Sequence, residues 1–584
     1  MASRAVLQFP LVITLLITLV ELIRSPLGPA LVLLLGAAIV FVSGRWVYRS
    51  FRMTGVALLF VALAAWLLLG LRTRTDYPIY SHPWQPLLQG GANLVWIGDG
   101  WNWYISGLIL LLGGVGILLD WNGSNRASTS SGYRRSSSSM ASHLGFLATA
   151  LLFAGSGNLL TAILTWVMMD LMMLLRSAMR PDSTPQSVAV TVRDNRAKGL
   201  SLLGALFLMV GLLPAGPSGP GQPLDSGVLP FETIVLMLLA AAIRAGAYPF
   251  HLWLLPTENE RVDLAERMLD QMVPVLCGLW LLGWTVNLGG ELVLVRPEVL
   301  ALIILAMLGS AIAAWTAPDQ SNHTTFVLIT SAGLAGLSGA VSFDQGPRAL
   351  IWPTTAFALG GGLWLVGERV WQEWGWQIPV SVGALALAGV PFTPGFLTQP
   401  GLARLITTGS IFTLLFAVYV IAQTIQIGAL LRSWGAERRD PPVLQPMAVA
   451  RLLIACIALG LPLAFVGFLP QTVATLASMP DAIPPTLGNP PTVVAPGVVW
   501  ITLGLPLLLG MGIALMRPRF WGLFGAWPGR VSHLSRLEWL FQISWWSINR
   551  VSDAWGNAVG VIEGAGYMGW LAVFALLGYI LISQ

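Results

Sequence analysis

The feature that most limits this chain is a series of apolar runs recurring from end to end, each close to the roughly 20 residues a helix needs to cross about 30 Å of hydrocarbon. Read by hydropathy they predict about 17 spans, the first near 8–24 and the last near 566–583. Backbone groups in hydrocarbon must pair internally, so the expected fold class is all-α: a polytopic transmembrane helical protein. Only 10% of the 584 residues are charged while 55% are hydrophobic, and a water-facing surface needs about a quarter charged. One continuous membrane domain is the simplest organisation.

Arginine placement predicts orientation. Arg45, Arg49 and Arg52 follow the second span; Arg126, Arg134 and Arg135 the fourth; Arg180, Arg193, Arg196 and Lys198 the sixth; Arg432, Arg438, Arg439 and Arg451 lie around the loop after the fourteenth. Even-numbered loops and the N-terminus are therefore expected on the cytoplasmic side of a bacterial-type inner membrane. The net charge of +5 is read as this topology signal, not as a footprint for nucleic acid. Glu21 and Arg24 close the first apolar run without a small-residue cleavage site, which favours a retained span over a signal peptide. Cys277 and Cys456 stand alone inside separate spans, too few to ligate a cluster or zinc. No glycine-rich dinucleotide fingerprint follows a strand, because no strands are evident. No cofactor is expected on this chain.

Two apolar runs are broken at their centres. "RAGAYPFHLWLLP", 244–256, carries Gly246 and Pro249; "ALALAGVPFTPGF", 384–396, carries Gly389, Pro391, Pro394 and Gly395. Proline removes an amide donor and clashes with the preceding turn, which frees carbonyls that lipid cannot satisfy. If spans five to nine and ten to fourteen form two five-helix units, about 143–288 and 299–431, both broken helices are the fourth of their unit. An odd helix count turns the second unit upside down relative to the first. Matching interruptions in inverted repeats point to an ion pathway; the alternative is ordinary kinked helices.

These residues resemble a known family, the antiporter-like subunits of respiratory complex I and of Mrp-type cation/proton antiporters. The first broken segment is similar to the family's lysine, small residue and Pro-x-His-x-Trp-Leu-Pro; the second is similar to its Ala-Gly-x-Pro-Pro followed by Gly-Phe. "IGDGWNWYISGLILLLGGVGILL" resembles its Asp-Gly-Leu-Ser helix and "SGNLLTAILTWVMMDLMMLL" its Asn-Leu-Leu…Trp-Glu helix. Together these cover roughly residues 95 to 400. The resemblance implies an ion-translocation set: Asp170, one turn beyond the family's glutamate position; Arg244 in place of its lysine; His251; and Asp270, where a histidine is usual, with Glu266 one turn earlier. Leu359, Thr324, and Gln399 with Pro400 stand where other ionisable residues are usual.

Arginine effectively never deprotonates, so Arg244 can hold a charge but cannot pass a proton. Pairing with Asp170 would keep that charge in place; the alternative is snorkelling to the cytoplasmic face. His251 is either a proton carrier or a partner for carbonyls freed by Pro249. Glu266 and Asp270 join Glu258, Glu260, Arg261, Asp263 and Arg267 in a charged cluster in which Asp270 is the deepest acid; Glu232 reads as interfacial.

The expected divisions are N-terminal helices in 1–100, an antiporter-like core in 101–435 and C-terminal helices in 436–584. Residues 122–142 read as a serine-rich mobile loop and 479–497 as a proline-rich linker. Segment 531–563 reads as one amphipathic surface helix, with Leu534, Leu537, Phe541, Trp545, Ile548, Val551, Trp555, Val559 and Ile562 on a shared face. The function expected is an antiporter-like membrane subunit of a complex I-like NADH/quinone oxidoreductase assembly, with a degenerate relay. Alternatives are an Mrp-like antiporter, a transport partner in inorganic carbon uptake, or a non-conducting scaffold. Other membrane subunits and lipids are the expected partners.

Overall fold

The computed structural model describes residues 20–44, 50–72, 78–84, 93–120, 130–178, 185–216, 219–255, 263–293, 296–407, 409–432, 446–479, 482, 496–524, 527–564 and 573. Among them, 11 helices are long and apolar enough to cross a membrane, and Gly28–Ser43, Gly199–Ala215 and Ile378–Ala388 are shorter apolar helices. The expected spans at 8–24 and 566–583 fall mostly outside the described residues. The chain is an integral membrane protein.

Helices α1 (Gly28–Ser43) and α2 (Ser50–Arg72) precede a short hairpin, β1 (Ile79–Pro83) with β2 (Asn93–Ile97), antiparallel with Ile79 opposite Ile97. The hairpin corrects the expectation of no strands. Its five-residue strands lie in the connection between two spans, too short for alternation to register against long apolar runs.

The first five-helix unit follows α3 (Gly100–Leu119). It comprises α4 (Ser130–Ala154), α5 (Leu159–Ala178), α6 (Pro185–Ala215), α7 (Phe231–Arg244) with a 3-10 turn (Phe250–Leu254), and a fifth helix. That helix starts as α8 (Leu264–Glu266), passes a π-helical turn (Arg267–Met272) and continues as α9 (Val273–Val293). The serine-rich stretch is helical from Ser130 onward, which corrects the loop reading. Ser137 and Ser142 are buried, and Ser137 lies against Gly44 at the end of α1, so small polar side chains allow close helix approach in place of solvation.

The second unit comprises α10 (Pro297–Thr316), α11 (Gln320–Val341), a 3-10 segment (Phe343–Leu350) with α12 (Ile351–Thr355), a π-turn (Ala356–Gly360) and α13 (Gly361–Trp374), then α14 (Ile378–Ala388) with a 3-10 turn (Pro394–Thr398) and α15 (Gln399–Thr407), and finally α16 (Ser410–Leu430). After it come α17 (Pro446–Phe468), α18 (Pro470–Leu476), α19 (Pro496–Phe524), α20 (Trp527–Ser535) and α21 (Glu538–Gly564). The amphipathic segment is thus two helices and not one. Leu537, expected on its apolar face, takes φ of 55° at the joint, a left-handed conformation that ends α20.

Both broken helices stop on a left-handed glycine, Gly246 at φ 62° and Gly389 at φ 82°, the conformation that closes a helix without a Cβ clash. They enter from opposite ends. The hairpin marks one end: Trp96 bridges Ser156 just before α5, and Gly157 carbonyl accepts from Leu224 amide in the connection leading to α7. Asn287, late in α9, donates to Asp225 carbonyl and abuts Gly346 just before α12. Helix α7 therefore starts at the hairpin end, whereas α14, which follows the return through α12 and α13, starts at the far end. The two units are inverted.

Candidate ion-translocation site

Helix α7 runs 14 residues, about 21 Å at 1.5 Å per residue, and stops inside the bundle at Arg244. Its freed carbonyls are accounted for locally. Ala241 carbonyl accepts from Ala245 amide at 2.8 Å and Ala242 carbonyl from Ala247 amide at 2.9 Å. Ile243 carbonyl accepts from Trp253 Nε1 at 2.9 Å, and beyond the turn Leu254 carbonyl accepts from Gln271 Nε2 at 2.8 Å. Trp253 and Gln271 thus serve the carbonyls near the break that sequence reasoning offered to His251.

Arg244 is fully buried and forms an ion pair with Asp170 of α5, Nη1 to Oδ1 at 2.6 Å. Snorkelling is thereby excluded. The same nitrogen donates to Ser201 Oγ at 2.8 Å, and that hydroxyl donates to Asp170 Oδ1 at 3.1 Å. Trp166 Nε1 donates to Asp170 Oδ2 at 2.9 Å, while its ring centroid lies 4.2 Å from the Arg244 guanidinium carbon. One aromatic residue one turn before the acid therefore holds both charges, through its N–H and its face. The position has three helices around it: α5 supplies Trp166 and Asp170, α6 supplies Ser201, and α7 ends on Arg244.

The remaining expected residues lie elsewhere. Asp270, on the π-turn, pairs with Arg176 at the end of α5 at 2.6 Å, and Arg176 also sits 5.0 Å over the Phe146 ring. Glu266 lies in α8, four residues before Asp270, among the charges acting on Arg267. His251 is fully buried, stacked on Tyr248 at 4.9 Å and tilted against Phe326 at 5.2 Å, and neither ring nitrogen completes a hydrogen bond among the described residues. Of the broken-helix residues, Gly246 and Pro249 flank this histidine's turn, and Gly389, Pro391 and Pro394 form the equivalent turn of the second unit. Glu258, Glu260, Arg261 and Pro256 lie outside the described residues.

At the end of the bundle remote from the hairpin, Asp120 follows α3 and meets His143 Nδ1 at 3.3 Å. Burial pushes its carboxyl up to about 6; nearby Asp263 adds to the rise and Arg176 opposes it.

In the second unit the resemblance assigned no acid, yet buried polar side chains gather there. Arg267 donates to Ser321 Oγ at 2.8 Å and to Thr324 Oγ1. Gln320 Nε2 donates to both carboxylate oxygens of Glu368 at 2.8 Å. His323 Nδ1 lies 2.9 Å from Ala314 carbonyl. Hydropathy gives no sign of Glu368, because the apolar run of its helix stops near 366, whereas α13 continues to Trp374. Ser201 had no sequence signal at all.

No family profile matches the chain. It is 24% identical over 364 residues to a probable K(+)/H(+) antiporter subunit of Rhizobium meliloti (strain 1021), a match covering 55% of this chain and 33% of that protein. The matched region thus spans about a third of the length of that curated relative. A chain of the Mrp complex from Dietzia sp. DQ12-45-1b superposes with TM-score 0.70 at 16% identity, covering 95% of this chain and 62% of that one. A chain of respiratory complex I from Thermus thermophilus gives 0.58 at 18% identity, covering 78% and 99%. A chain of the membrane-bound sulfane sulfur reductase, an archaeal respiratory membrane complex, gives 0.65 at 15% identity, covering 95% and 99%. The chain therefore shares the fold of these membrane-complex chains and is similar in sequence, over part of its length, to that antiporter subunit.

Proposed function

We propose that this chain is a membrane subunit of a complex I-like NADH/quinone oxidoreductase assembly, contributing to proton or cation translocation driven by electron transfer on other subunits. The observation that carries the reading is the buried Arg244–Asp170 pair at the mouth of a helix broken in mid-bundle, with a second broken helix entering from the opposite end. Half-helices that stop inside the membrane let ionisable side chains meet water partway across. Asp170, Arg244, His251, Asp270 and Glu266 are the residues assigned to the pathway. Because Arg244 has no proton to release, its pair with Asp170 acts as a fixed electrostatic element, and the relay is degenerate at that point. The assembly is placed in a bacterial-type cytoplasmic membrane with the N-terminus inside, in contact with other membrane subunits and with lipid.

Exchange of a monovalent cation for protons is the second reading, favoured by the name of the Rhizobium meliloti relative. Purification with native partners, followed by reconstitution in vesicles, separates the two. Internal pH changes that need a quinone and an electron donor support the first reading. Changes that follow a potassium or sodium pulse without a donor support the second. A complex that gives neither response while its quinone chemistry is intact identifies the chain as a scaffold.

A further inference from the structure

We infer that Glu368 is a proton-uptake site of the second five-helix unit, opening at the bundle end where α11 begins and α13 stops. The residue is only 6% exposed, and among the described residues it has no ion pair; its one hydrogen-bonding partner there is the neutral amide of Gln320. An ionisable side chain buried within a membrane helix without a permanent counter-ion is costly and points to function.

The identity of the partner matters. A glutamine side chain can donate to a carboxylate through its NH2 and, after rotating, accept from a carboxylic acid through its oxygen. It therefore suits both charge states of Glu368, which Arg244 cannot do for Asp170. Gln320 itself is exposed as the first residue of α11, so a single side chain links the bundle end to the buried acid. The step is simple: a proton from water at that end binds a carboxylate oxygen, and the side-chain charge goes from −1 to zero, with no covalent change.

Arg267 on the π-turn and Arg432 after α16 act on Glu368 through space; both are otherwise engaged, Arg267 with Ser321 and Thr324 and Arg432 with Ala317 carbonyl at 2.7 Å. Asp319, before α11, is held by Arg536 at 2.5 Å. On α13 itself Arg369 and Glu373 pair with each other at 2.6 Å. Helix α14 and the π-turn before α13 bring no titratable residue, and α17 brings Arg451. One turn inward from Gln320, His323 is 1% exposed and lies 6.0 Å from Trp364 of α13, so the next group able to take a proton lies on the same two helices.

The role in transport rests on the function proposed above; protonation of Glu368 does not. The test uses the whole chain with its native partners and compares wild type with Glu368→Gln, which keeps a hydrogen-bonding group of the same shape. Infrared difference spectra across a pH titration report the C=O stretch of protonated carboxylic acids, and vesicle assays report proton movement. The expected result is loss of one titrating carboxylic-acid band and loss of proton translocation, with the melting temperature held. Gln320→Met should keep the band and shift its titration. An unchanged set of bands in Glu368→Gln overturns the proposal, as does loss of the band with translocation undiminished. A wild type that translocates nothing, yet loses the band on mutation, leaves the protonation site standing and removes the proposed function instead.

Discussion

At the scale of single residues, the chain treats its two kinds of buried charge differently. Asp170 and Arg244 are locked by Ser201 and by both the N–H and the face of Trp166. Removing one partner of a buried pair strands the other, at a cost of about 3–5 kcal/mol, whereas replacing both by apolar residues is often close to neutral. Asp170→Leu or Arg244→Met alone should therefore lower the melting temperature in detergent sharply, and the double variant should recover most of the loss. Equal and additive losses would mean that the two charges do not support each other. Asp120 gives the pH dependence. Its carboxyl is pushed up to about 6 by burial, above its unfolded value, so the folded state holds the extra proton between about pH 4 and 6. Stability from this group is present below that window and falls as pH rises through it; Asp120→Asn should flatten the slope of melting temperature against pH there. Arg244 and Asp170 were legible because a charge and an acid stand inside apolar runs. The roles of Trp253 and Gln271 at the break were not, because Trp253 must fold back across the turn to reach Ile243 and Gln271 comes from another helix.

At the scale of elements, breaking a membrane helix demands a neighbour that fits the break. Helix α9 supplies it at Gly278, where a Cβ would fall 2.2 Å from Ala245 nitrogen and 2.6 Å from its Cα. Any side chain there pushes α9 off the end of α7, so Gly278→Val should lower the melting temperature and expose Cys277, buried beside it, to thiol reagents. A variant with wild-type stability and an unreactive Cys277 would show that the close approach is dispensable. The joint between α20 and α21 is a gentler case. Arg536 binds Asp319 across 2.5 Å, but the acid's side chain is 44% exposed, and such pairs contribute about 0–1 kcal/mol. Arg536→Ala should leave the melting temperature nearly unchanged while raising proteolytic cleavage at the α20–α21 joint. Periodicity exposed the apolar character of this segment but not its break at Leu537, since a leucine gives no warning of a left-handed turn.

At the scale of the whole molecule, the alternation of spans makes one end of the bundle the hairpin side and the other the arginine-rich side. Ser81→Cys, exposed in the hairpin, should react with an impermeant thiol reagent in intact cells, and His533→Cys, exposed in α20, only after lysis. The reverse pattern would overturn the proposed orientation. Residue chemistry by itself determined the bilayer as solvent, the helical class, the two interruptions and their matching places, because hydropathy and proline act locally and each can be read along the chain. Only the tertiary structure decided which charges met. Arg244 found Asp170 across 74 positions, Arg176 found Asp270, and Glu368 was left with an amide in place of a counter-ion. Those outcomes depend on which helix faces pack together, and the packing of apolar helices within lipid is set by shape and close approach, which no hydrophobic pattern encodes.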